Sequence, residues 1–170
     1  MKKKTKNGLN GLAWAAFLTL SLSSCLKSGL DELPAFTDTQ IVTIFTEYRF
    51  KDPVAKNADG SQKVLFVNLP VTRTTKLKEN TPGAASDSVL LAVTVPPVSG
   101  AFTEQIRSQV SAQNLTVYCN ISTAATIVPL AGASQLGVPG DYSAPRQYQV
   151  TAADGVTSRI WTIKVAKLTK

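Results

Sequence analysis

From residue 41 to residue 165, apolar side chains in this chain recur at every second position, in runs broken by Gly, Pro, Asn and Asp. A period of two places one set of side chains on one face of a β-strand, so such a run needs a partner layer to bury that face. Val89, Leu91, Val93 and Val95 alternate in this way until Pro96-Pro97 ends the run. Leu115, Val117, Cys119 and Ile121 share a face, as do Val42, Ile44, Tyr48 and Phe50 in a segment ending at Asp52-Pro53. The clearest case is a hairpin. Tyr148, Val150 and Ala152 alternate with Gln147, Gln149 and Thr151; Asp154-Gly155 supplies a turn; Trp161, Ile163 and Val165 alternate on the return. A lone hairpin is marginal in water, so these faces must pack on a second sheet.

The remaining segments fit the same architecture. Val64 to Leu69 is a continuous apolar run, which predicts a strand buried on both sides, and Asn57-Ala58-Asp59-Gly60 before it predicts a turn. Residues 72–87 are polar around Thr81-Pro82-Gly83 and read as a long loop. Between 101 and 113 the spacing switches: Phe102, Ile106 and Val110 recur every fourth residue, which predicts a short helix. A weak strand is expected over 126–128. About seven strands, one short helix and frequent turns define an all-β protein, a β-sandwich over residues 40–170.

The N-terminus carries a different kind of signal. Lys2, Lys3, Lys4 and Lys6 precede an apolar run from Leu12 to Leu22, the order of a secretory signal peptide, and the run is shorter than the ~20 residues that span a bilayer. The ending Leu22-Ser23-Ser24-Cys25 resembles a bacterial lipobox. That resemblance implies cleavage before Cys25, a diacylglycerol on its thiol and acylation of its new amine. The expected organisation is a signal peptide over 1–24, a lipid-anchored tether over 25–39 and the sandwich over 40–170. Each buried methylene contributes ~0.8 kcal/mol, so two or three long chains anchor the protein stably in a membrane. Leu26, not Asp, follows the cysteine, so the inner-membrane retention signal is absent and the outer membrane is expected; which leaflet it faces stays open.

Removing residues 1–24 takes away four lysines and no acid, which lowers the formal net charge from +7 to +3. So small a charge, spread over scattered bases, points away from a nucleic-acid partner. With Cys25 carrying lipid, Cys119 has no partner in the chain and reads as a small hydrophobe on an apolar strand face. The chain has no histidine, hence neither the commonest general base nor the commonest metal ligand. The one Ser-x-x-Lys spacing, Ser24 to Lys27, straddles the expected cleavage site before Cys25, and nucleophile elbows, calcium loops and glycine-rich phosphate loops are missing from the sequence. No cofactor or metal is expected, and no enzyme. The one acid pair considered for glycosidase-like chemistry is Glu47 with Glu104. For ligand binding, the candidate aromatic platforms are Tyr142, in a Gly/Pro/Asp loop, and Tyr118, on the polar face of its strand; the alternative for Tyr142, and the one favoured, is a loop tyrosine capping the end of the sandwich.

The C-terminal run from Tyr142 through Pro145, Tyr148, Val150-Thr151-Ala152 and Asp154-Gly155 to Trp161-Thr162-Ile163-Lys164-Val165 is similar to the ending of immunoglobulin-like domains in Bacteroidota-type cell-envelope lipoproteins. The resemblance covers about the last 30 residues, and the stretch around 96–113 departs from the short form of such domains. It implies an immunoglobulin-like sandwich in which Tyr148 and Trp161 pack, and it carries no catalytic residue. Asp87-Ser88-Val89 resembles the short motif that O-glycosylation uses in such bacteria. The expected role is a non-catalytic binding or scaffold module on the outer membrane, accessory to glycan capture or to an envelope protein partner. The alternatives are a structural adhesin or pilus-associated subunit that assembles through an edge strand, and a small hydrolase.

Overall fold

The computed structural model describes residues 36–81, 83–130 and 132–170, and within it nine strands form two sheets. The expected signal peptide, Cys25 and most of the expected tether lie outside the described residues. Residues Ala35–Lys170 are a compact unit with its own core. One sheet has four strands in the order β2-β1-β5-β7: β1 (Ile41–Lys56), β2 (Gln62–Leu69), β5 (Leu115–Ile121) and the two-residue β7 (Pro139–Gly140). The other has five, in the order β3-β4-β9-β8-β6: β3 (Val71–Lys76), β4 (Asp87–Thr94), β6 (Thr126–Pro129), β8 (Arg146–Thr151) and β9 (Ser158–Thr169). All neighbouring strands are antiparallel except β4 and β9, which run parallel.

The period-two pattern sets the interior. Val89, Leu91 and Val93 of β4, Tyr148 and Val150 of β8, and Trp161 and Ile163 of β9 are all buried. They meet Ile44 and Tyr48 of β1 and Leu115 and Val117 of β5 from the opposite sheet. Tyr148 lies directly opposite Trp161 in the β8–β9 ladder. In the turn between them, Gly155 has φ +71° and the Asp154 carboxylate accepts the amides of Val156 and Thr157 at 2.9 and 2.8 Å. Only a residue without Cβ takes that backbone angle without strain.

The structure departs from expectation at several places, each with a physical reason. The run at 64–69 is an edge strand, not a strand buried on both sides; Leu65, Val67 and Leu69 point inward while Val64 and Phe66 are 59% and 62% exposed. The polar stretch after Pro70 is not all loop. The chain switches sheets at that proline, and β3 pairs along the outside of β4, where an edge strand needs no apolar face. β1 continues past Asp52-Pro53 to Lys56 through an irregularity in which the Asp52 carboxylate accepts the Val54 and Ala55 amides. The helix shrinks to α1 (Glu104–Ser108), capped by the Thr103 hydroxyl, while Phe102 and Val110 reach the core from outside it. With β3 and β7 added, nine strands stand where about seven were expected. Asp87 and Ser88 of the glycosylation-like triplet sit at the start of β4, with Asp87 buried and bonded to the Lys78 amide.

A bulge near the start of β1 also has a consequence for packing. Ile41 faces Ile121 and Thr43 faces Asn120, so one residue between them is extra. That shift turns Val42 outward, off the face it was expected to share with Ile44, Tyr48 and Phe50, while Ile41 and Ile44 both point inward. Arg73 of β3 donates to the carbonyls of Ile41 and Val42 at 3.0 and 2.5 Å, which ties the two sheets at this point.

Trp161 is fully buried and its indole N–H donates to the Thr39 carbonyl at 2.8 Å. Replacing Trp161 with Ala removes that bond and opens a core void, so we expect a loss of ~3–5 kcal/mol in urea unfolding. Trp161→Phe, which keeps most of the volume but leaves the Thr39 carbonyl without its donor, is expected to cost less than Trp161→Ala.

Candidate functional site

The two sequence-derived tyrosines have opposite fates. Tyr142 is wholly buried, so it is not a surface platform. Its amide donates to the Ala112 carbonyl at 2.7 Å, and its ring sits against Tyr148, whose hydroxyl reaches the Tyr142 oxygen at 3.4 Å and the Ser134 carbonyl at 2.8 Å. Burial, then the Tyr148 hydroxyl, push the Tyr142 phenol far above its ordinary value. The loop folds back to close the end of the sandwich, so Tyr142 takes the capping role that its Gly/Pro/Asp setting favoured. Asp141 helps hold it there by bonding the Ser143 amide and the Arg146 guanidinium, whose Nη2 lies at 2.6 Å.

Tyr118 lies on the outer face of the four-stranded sheet, and there it gathers a cluster. β1 and β5 align Phe45 with Tyr118 and Glu47 with Thr116. Phe45 and Tyr118 rings stand 6.0 Å apart at 33°, and Phe45 is 45% exposed. Val42 is turned outward by the bulge and is also exposed. The Tyr118 hydroxyl donates to Glu47 Oε2 at 2.5 Å, and Arg49 Nε donates to Glu47 Oε1 at 2.6 Å. Glu47 is only 4% exposed although it points away from the core. A carboxylate so covered is tolerated because both its oxygens are engaged by charge-assisted bonds. The Tyr118 phenol is raised above its ordinary value, first by its bond to the Glu47 carboxylate and then by burial.

Thr116 completes the cluster differently. It is fully buried beside Glu47 and Pro139, and its hydroxyl has no hydrogen-bond partner among the described residues. The apolar half of this cluster was legible only in part: Phe45 blurs the polarity of β1 in the sequence, and nothing there shows that Tyr118 lies beside it. Glu47 and Glu104 do not share partners. Glu47 is held by Arg49 and Tyr118, whereas Glu104 pairs with Arg107 at 3.2 Å on α1 and its side chain is largely exposed. Cys119 faces inward next to the core and is partly buried, and burial pushes its thiol up to about 11. Such a thiol is protonated near neutral pH and a poor nucleophile.

The profile of the DUF5018-related family matches residues 41–164, which spans both sheets. The chain belongs to that family. A crystal structure of a protein from Bacteroides fragilis, provisionally described as secreted, is similar to this DUF5018-related chain at 35% identity and a TM-score of 0.67; the match covers 81% of this chain and 100% of that one. A crystal structure from Bacteroides thetaiotaomicron, provisionally described as a glycoside hydrolase, aligns at 19% identity and a TM-score of 0.42 over 82% of this chain and 27% of that one, too slight a likeness to carry an argument. No curated protein matches the chain.

Substitutions separate the roles within the cluster. Tyr118→Phe leaves a covered carboxylate oxygen without its donor and is expected to lower stability by ~1–3 kcal/mol in chemical denaturation. Thr116→Val, which deletes an unpaired buried hydroxyl at similar volume, is expected to be neutral or stabilising. The four shifted tyrosines set a pH limit. Tyr48, Tyr118, Tyr142 and Tyr148 all hold their protons more tightly folded than the ordinary value of 10.0. A raised folded pKa gives stability that is complete below 10.0 and is lost as pH climbs towards the folded value. The unfolding midpoint should therefore fall steeply above about pH 10, and more gently in Tyr142→Phe.

Proposed function

We propose that this chain is a non-catalytic binding module, held at the outer membrane by lipid on Cys25 and accessory to glycan capture. The observation that carries the binding role is the Phe45–Tyr118 ring pair, half open to solvent on a sheet face and backed by Glu47 and Arg49. Aromatic faces attract the C–H faces of sugars, and fixed polar groups beside them orient hydroxyls. The cluster is built on strands rather than on a mobile loop, which suits a preorganised binding face.

A non-catalytic role is supported by how the acids are used. Both Glu47 oxygens are committed to partners; Asp59, Asp141 and Asp154 accept the hydroxyls of Ser61, Ser143 and Thr157 and then local amides, and Asp52 accepts local amides, which lowers each carboxyl below its ordinary value. An extracytoplasmic location is supported by the related protein described as secreted and by the signal-like N-terminus. Among the described residues no helix is long and apolar enough to cross a membrane. The lipobox-like ending at Cys25 supplies the anchor in this reading.

Two measurements test it. Cells expressing Cys25→Ala should lose incorporation of labelled palmitate and shift the protein out of the membrane pellet; unchanged labelling would refute the anchor. Residues 35–170 screened on a polysaccharide array should bind a glycan, with Phe45→Ala weakening it at least tenfold and Thr162→Ala, on the opposite sheet, leaving it unchanged. Failure to bind any glycan would remove the carbohydrate reading.

A further inference from the structure

The outer face of the four-stranded sheet does not end at the Phe45–Tyr118 pair. β1 pairs with β5 only as far as Glu47, opposite Thr116, and runs on to Lys51 with β2 beside it. Among the described residues no strand takes the other side of that stretch; α1 and Pro139 flank it instead. Between them lies a recess of about 450 Å³ whose walls include Arg49, Lys51, Val64, Ile106, Gln109 and Pro139. Two of its side chains are cationic and none is acidic.

The cations keep much of their bonding capacity. Arg49 gives Glu47 only its Nε, at 2.6 Å, and its two Nη amines have no hydrogen-bond partner among the described residues. The Lys51 ammonium has no ion-pair partner among them either, and the nearby acid of α1, Glu104, is paired with Arg107. Glu47 offsets one positive charge, so the recess keeps the other. A guanidinium that offers its Nε to one carboxylate still presents its Nη pair to a second anion, and its planar fork suits carboxylate or sulfate oxygens.

Recess and aromatic pair share one face, because residues 45, 47, 49 and 51 of β1 all point outward. At ~3.3 Å per residue, Arg49 lies ~13 Å along the strand from Phe45. Phe66, opposite Arg49 in the ladder and 62% exposed, sets a further ring beside the cations.

We propose that the glycan taken by this face is acidic, with a carboxylate or sulfate ester seated in the recess against Arg49 and Lys51. The inference rests on the Phe45–Tyr118 reading and adds the charge of the ligand to it. The rings of Phe45, Tyr118 and Phe66 meet the apolar faces of sugars along the chain, and the guanidinium fork and the ammonium meet the anion. Gln109 brings an amide donor to the same place without an opposing charge. A neutral glycan gains nothing from these cations, and complementary charge is a source of specificity more than of raw affinity.

The test uses residues 35–170 and two pairs of soluble polymers. One pair is a polyuronate and the same polymer with its carboxyls reduced to alcohols; the other is a sulfated galactan and its desulfated form. At least one acidic polymer should bind ten times more tightly than its neutral counterpart, the pair that responds telling carboxylate from sulfate, and added salt should weaken that binding. Gln109→Glu puts an acid into the recess without touching the Arg49–Glu47 pair and should weaken the acidic polymer at least tenfold at an unchanged melting temperature. Should that variant be destabilised, Lys51→Gln replaces it with the same direction expected. Lys164→Gln, on the opposite sheet, should change nothing; an equal loss there would mean diffuse charge attraction and overturn the recess as the seat, as would unaltered binding by the recess variants. Equal binding of acidic and neutral polymers, still lost in Phe45→Ala, would overturn the acidic preference and leave glycan capture standing. Failure of every polymer to bind would remove both.

Discussion

Trp161 is the point on which the two layers depend. It stands on β9, near the middle of the five-stranded sheet, is fully buried, and bonds through its indole N–H to the Thr39 carbonyl just before β1. One side chain thus fills the centre of the core and fixes where the chain enters the other sheet. A buried indole N–H with no acceptor would cost much of what its ring gains, so the position of Thr39 is dictated by the tryptophan. Arg73 performs a matching task at the bulge, where it takes up the carbonyls of Ile41 and Val42. Together they register the sheets against each other without a disulfide; Cys119 is the free cysteine among the described residues.

The bulge links packing to surface chemistry. By inserting one residue into β1 it keeps Ile41 and Ile44 in the core, turns Val42 out, and leaves Phe45, Glu47 and Arg49 on the outer face of a sheet. Tyr118 then meets Phe45 and Glu47 only because β5 pairs with β1 in this register. A slip of one residue would send Tyr118 inward and Cys119 outward, since strand faces alternate. The surface cluster and the core are two results of one register.

The two parts of the proposed face draw on different resources of the same sandwich. The Phe45–Tyr118 pair uses side chains in the middle of a sheet, where neighbours on both sides fix their positions. The recess at Arg49 and Lys51 uses the space left where β5 stops and β1 runs on. Among the described residues, the β2 edge presents main-chain groups that no neighbouring strand takes up, and neither part draws on them. A small all-β module offers both without disturbing its core, because neither includes a buried core residue other than Tyr48, which lines the recess.

Much of the fold was legible because alternation is a strong local signal. Val89 to Val95, Leu115 to Ile121 and the hairpin about Asp154-Gly155 all face as their patterns required, and Trp161 is in the core. The run Val64 to Leu69 was misread because an apolar stretch looks the same whether both faces are covered or one lies open at an edge. β3 was missed because an outer strand needs no apolar face, and for Tyr142 both a platform and a cap were open, because Gly, Pro and Asp mark a turn but not which way its aromatic points. Local residue order thus determined strand faces, turns and the all-β class. Only the tertiary structure decided which strands became edges, which tyrosine met solvent and which residues across the ladder stood beside Glu47. Those outcomes depend on pairing between residues far apart in sequence, as between Tyr118 and Glu47, 71 positions away.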